Sequence, residues 1–142
     1  MSSTQPTTQH MRRRCRTAAG PSDRGSASIQ MVLLLPVLFT VMFLGMQAAL
    51  FYHARSVAIA AAQEGARASS AQDGSRGAGA AAAAAFVAAA GGDDVLKGAR
   101  VSSSRTAQVA TVAVTGTSLS VIPGWSPFVR QSATVPVERI TR

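Results

Sequence analysis

The sequence predicts a membrane-anchored α+β protein, with a single long N-terminal transmembrane helix and a small extracytoplasmic head containing a second helix and a short antiparallel β-sheet. Three observations predict it. Ile29 to Tyr52 reads IQMVLLLPVLFTVMFLGMQAALFY, 24 residues without a charge. Arg12, Arg13, Arg14, Arg16 and Arg24 precede that run, against Asp23 alone. From Ala99 onward the apolar residues alternate with polar ones, the period of a half-buried strand.

The first segment, residues 1–25, is polar and arginine-rich and has no apolar periodicity, so it is expected to be a disordered cytoplasmic leader. Residues 26–68 form the second segment. As a helix, its 24 charge-free residues would span about 36 Å at ~1.5 Å per residue, enough for the ~30 Å hydrocarbon core of a bilayer. A cleaved secretory signal has a much shorter apolar region. A chain of 142 residues has too little other apolar surface to enclose a helix that is apolar on every side. Pro36 would break a soluble helix but is tolerated in a membrane one, with a local kink. The arginine cluster places the N-terminus in the cytoplasm and the remainder outside.

The membrane helix is expected to continue through the alanine-rich stretch after Tyr52 to about Ala68, because alanine has the highest helix propensity. Residues 69–98 begin with a polar break, Ser69 to Gly77. A second helix over Ala78–Ala90 follows, capped by Asp73 or Ser75 and ended by Gly91-Gly92. Residues 99–142 are the β segment. In Gln108–Thr115 the alternation puts Val112 and Val114 on one face, and in Ser132–Ile140 it does the same for Ala133, Val135 and Val137. Pro136 lacks a ladder donor and suits an edge. Val101 marks a further short strand. Between them, Pro123-Gly124 signals a turn, and Trp125, the only tryptophan, is expected as a lid over a thin core or a subunit contact.

The totals exclude several functions. Lys and Arg number 14 against 6 Asp and Glu, a formal charge of +8. The excess clusters ahead of the apolar run and does not interleave with aromatics along a face, so no nucleic acid is expected as a partner. Cys15 is the only cysteine and cannot form an intrachain disulfide. Catalysis needs convergent groups, yet the two histidines, His10 and His53, fall in the leader and at the membrane border. Asp93-Asp94 reads as a solvated turn. No metal-ligand spacing or phosphate-binding glycine loop occurs. The chain therefore reads as no enzyme, without cofactor, metal or small-molecule substrate.

The border of the apolar run carries a further pattern. A basic leader ends at Gly25-Ser26, and Gln30 lies five residues beyond Gly25. GSASIQMVLLLPVLF, Gly45 in mid-span and AAQEGAR (Ala61–Arg67) then follow in order. Over roughly Arg24–Ala68 the chain resembles the TadE-like (TadE/TadG) proteins of the tight-adherence pilus system. The resemblance implies cleavage after Gly25 by a membrane prepilin peptidase, leaving Ser26 as the new N-terminus. It implies a pilin- or pseudopilin-type subunit that assembles with other pilus subunits and inner-membrane platform proteins. Gln30 departs from the pattern, because the family places Glu at the fifth mature position. A carboxylate there pairs with the α-ammonium group of a neighbouring subunit, whereas an amide can only accept a hydrogen bond from it. That substitution favours a minor or initiating subunit over the bulk of a filament. Gly45 and Ala49 form a small-xxx-small pair for close helix packing, and Gln47 beside them could hydrogen-bond across helices. In the motif Glu64, Gly65, Ala66, Arg67, the charged pair lies on one helix face, and the motif is expected to serve either packing of the small pair between helix and head or an intersubunit salt bridge. The competing reading is a tethered or secreted extracytoplasmic binding module with no filament role.

Overall fold

The computed structural model describes the backbone of residues 23–138 and the side chains of residues 29–138. The leader through residue 22, and the last residues of the expected terminal strand, lie outside the described residues. The described elements are helix α1 (Asp23–Ser70), helix α2 (Arg76–Ala89), a short 3-10 turn (Gly92–Asp94), and strands β1 (Leu96–Arg105), β2 (Val109–Ser118) and β3 (Phe128–Pro136). The chain divides into two compact units, Met1–Pro36 and Val37–Arg142.

In the first unit the described part is the opening of α1. From Ile29 its side chains are exposed. Pro36 lies within the helix, which is assigned without interruption over 48 residues. The tolerance expected for a proline in an apolar helix is therefore met.

The second unit is built on the remainder of α1. Residues Val37 to Met46 are all exposed, and burial begins at Gln47. From there Ala54, Val57, Ala58, Ala61, Ala62 and Ala66 are buried, spaced by three and four residues so that they share one face. The 24-residue span expected from composition thus contains two different environments. Its last turns, from Gln47, pack against the head of the same chain, and the wholly exposed apolar stretch runs from Ile29 to Met46. Length and composition make this helix a candidate membrane span.

Alanine dominates the buried face for a geometric reason. A methyl side chain lets the sheet and α2 come close to the α1 backbone. Each alanine buries little apolar area, so larger residues opposite must complete the core. Leu96, Val112, Val114 and Val129 supply them from the sheet, with Val87 from α2.

The sheet order is β1-β2-β3, both pairs antiparallel. β2 is central and alternates as expected, with Ala110, Val112 and Val114 buried. β1 is a full ten-residue strand and begins before the short strand expected near Val101. Its polar run Ser102-Ser103-Ser104 hides the strand from a hydrophobicity reading. β3 starts at Phe128, earlier than expected, and ends at Pro136. Pro136 closes an edge strand, where its missing N–H costs no ladder bond.

The second helix follows its sequence signals. The Ser75 hydroxyl accepts a 3.0 Å hydrogen bond from the Ala78 N–H, which satisfies a free donor of the first turn. Gly91, at φ 116°, takes the left-handed conformation that ends the helix.

Candidate functional site

The residues singled out by the sequence separate into an outward and an inward set. The backbone of Gly25 and Ser26 lies in the first turns of α1. Gln30 is exposed on that helix. Gly45 and Ala49 are exposed one turn apart, and a Cβ built on Gly45 would meet no atom within 4 Å. This small-residue face is open to a neighbouring helix.

The Glu64–Arg67 motif is split by the helix period. Glu64 and Arg67 face outward and form a 3.5 Å ion pair, with about half or more of each side chain exposed. A pair so exposed adds little stability because water screens it, and it leaves both charges accessible. Gly65 and Ala66 point inward. A Cβ on Gly65 would stand 2.6 Å from the Gly79 carbonyl oxygen and 2.9 Å from the Ala83 Cβ. Glycine at this position therefore permits the α1–α2 contact. Gly79, inside a monotonous alanine run, carried no such signal in the sequence.

Gln47 belongs to the head and not to a partner helix. It is 2 % exposed. Its Nε2 donates to the Leu119 carbonyl at 3.3 Å, and its Oε1 accepts from the Val121 N–H at 2.9 Å and the Ser120 hydroxyl at 3.0 Å. The cross-helix bond envisaged for this side chain is replaced by an intrachain one. The reason is that the β2–β3 loop folds back onto α1 and brings unpaired backbone groups to it. An amide carries both the donor and the acceptor these groups need.

That loop, residues 119–127, contains the expected turn. The Trp125 N–H donates to the Ile122 carbonyl at 3.2 Å, and Gly124 has φ 79°, as a turn with proline then glycine at its centre requires. Trp125 is half exposed. It lines a groove of about 250 Å³ with Leu44, Gln47, Ala48, Phe51, Tyr52 and Pro127.

Arg105, at the end of β1, was not recognised from the sequence. Its guanidinium donates to the Ala71 carbonyl at 3.0 Å and also to the carbonyls of Ser69 and Gly74. It caps the C-terminus of α1, where carbonyl groups lack helical partners and the helix dipole favours a cation. Only the fold brings residues 34 positions apart together in this way.

Among the described residues no group of three or more His, Cys, Asp or Glu is placed to hold a metal ion. Asp93 uses its carboxylate to accept from the Gly98 N–H at 3.0 Å, which ties the 3-10 turn to the start of β1.

Comparison with known proteins agrees with the resemblance. Residues 25–67 match the family model described as TadE-like protein. No curated protein and no solved structure matches the chain. The match covers α1 from Gly25 through Arg67 and includes every residue of the outward set. It supports a role associated with the Tad pilus in general.

Proposed function

Since residues 25–67 are TadE-like, we propose that the chain is a structural or assembly subunit of a tight-adherence pilus or secretion apparatus, of the minor pilin or pseudopilin type. In this reading α1 anchors it once in the membrane, with the N-terminus in the cytoplasm and the head outside. Prepilin peptidase cuts after Gly25, and the new N-terminus at Ser26 enters a helical assembly with other subunits on an inner-membrane platform.

The observation that carries this reading is the exposed apolar stretch Ile29–Met46. A helix with no buried side chain among the described residues over that length presents its apolar surface to lipid or to other helices. The open Gly45–Ala49 face provides a place where a second helix backbone can approach. The exposed Glu64–Arg67 pair provides complementary charges about 22 Å farther along the helix. Gln30 supplies an acceptor but no charge for a neighbour's ammonium group, which suits a subunit that starts or joins a filament more than one that repeats along it.

N-terminal sequencing of the native, membrane-extracted protein tests the proposal. A chain beginning at Ser26, cross-linking to other pilus subunits through Gly45→Cys, is the expected result. A mature chain that still begins near Met1 and cross-links to none of them would overturn it.

A further inference from the structure

The head carries a second apolar element beside the exposed helix. Residues 119–129, LSVIPGWSPFV, contain no charge. Val121, Ile122 and Pro123 line a surface depression together with Thr40, Phe43 and Leu44 of α1. The loop therefore runs alongside the charge-free part of the helix, about three turns before Arg55, the charged residue that ends it.

We infer that this β2–β3 loop inserts into the boundary between lipid headgroups and acyl chains, with Trp125 and Tyr52 seated at the interface. The inference rests on the membrane-anchor reading of α1. Three observations carry it. Counting from Ile29, the ~20 residues needed to cross a hydrocarbon core reach Ala48, so the turn carrying Thr40, Phe43 and Leu44 falls within lipid depth and the loop touching it falls near the same level. The chain has one Trp and one Tyr, 73 positions apart, and both line the same groove. These amphipathic rings favour the membrane–water interface, and here Tyr52 and Trp125 are both at least half exposed. Phe128, also largely exposed, extends the apolar patch at the start of β3.

The third observation concerns the backbone. A loop can enter lipid only if its polar groups are satisfied within the protein. The N–H of Val121 donates to Gln47, that of Ile122 to the Ser120 hydroxyl at 3.1 Å, and that of Trp125 to the Ile122 carbonyl; Pro123 has none. Gln47 also satisfies the Leu119 carbonyl. A buried amide in the middle of an apolar helix thus satisfies part of the backbone of a non-helical loop and lowers the cost of placing it in a dry environment.

The single tryptophan makes the test direct. The full chain is reconstituted at high dilution into phosphatidylethanolamine–phosphatidylglycerol vesicles containing lipids brominated either near the headgroup end or near the terminus of the acyl chain. Vesicle flotation is measured on the same samples. Trp125 emission is expected to be quenched by bromolipid, more by the shallow label than the deep one, and to be protected from aqueous acrylamide. Ile122→Asp should reduce that quenching several-fold while the protein still floats. If the wild-type chain floats but Trp125 is insensitive to bromolipid, the loop inference fails and the anchor stands. Protection from acrylamide without lipid quenching would assign the patch to a second protein surface and overturn insertion. A chain that does not float overturns both.

Discussion

Gly65 and Gly79 let α1 and α2 pack backbone against backbone, each leaving room for the other's carbonyl oxygen. A Cβ at Gly65 would lie 2.6 Å from the Gly79 oxygen, and one at Gly79 would lie 2.8 Å from the Gly65 oxygen. Backbone, not a flexible side chain, is the obstacle, so relief requires the helices to separate. Gly65→Ala should therefore lower stability by about 1–3 kcal/mol despite alanine's better helix propensity. Gly45→Ala, in open space, should leave stability unchanged or raise it by up to about 1 kcal/mol. Unfolding in detergent micelles compares the two, and equal stabilities would disprove the close contact.

Gln47→Leu tests the tie between α1 and the β2–β3 loop. It leaves the Val121 N–H and Leu119 carbonyl without their partner, and each orphaned buried group costs about 1–3 kcal/mol. Hydrogen exchange should accelerate at Val121 and Ile122 while the central amides of β2 stay protected. Uniform exchange across loop and sheet would contradict a local tie.

Arg105→Met removes the cap on α1 while keeping most of the side chain's apolar stem. Loss of hydrogen bonds from a charged donor should cost about 1.5–3 kcal/mol. Arg105→Lys should recover part of it, because an ammonium supplies the charge without the planar fork. The last turn of α1, read from exchange at Ser70 and Ala71, should fray first.

The exposed Glu64–Arg67 pair makes the opposite prediction. Glu64→Ala or Arg67→Ala should change stability by no more than about 1 kcal/mol. If the charges serve a partner subunit, the same variants should weaken co-purification from membranes. Wild-type recovery of partners would remove the proposed intersubunit role.

Gln30→Glu places a carboxylate where a neighbouring α-ammonium group would sit in the proposed assembly. A charge-assisted bond is about twice as strong as a neutral one. Incorporation into sheared pilus fractions should increase, and an unchanged or lower yield would argue against Gln30 as an assembly position.

The sequence alone determined the local features. A charge-free run, a high alanine content, Ser75 and Gly91 at the ends of α2, Pro123-Gly124 in a turn and the alternation of Val112 and Val114 each act over a few residues, through propensity, capping or periodicity. The TadE-like segment was legible for the same reason, since its motifs lie along one helix. The tertiary structure decided what those features contact. Where the apolar helix stops being exposed could not be read from hydropathy, because Gln47 and the alanines after it owe their burial to a loop and sheet far along the chain. Arg105 and Gly79 acquired their roles in the same way. A guanidinium on a strand and a glycine in an alanine run are unremarkable in sequence, and only folding brings them to a helix end and to a backbone crossing. Such contacts depend on distances between residues remote in the chain, which no local pattern encodes.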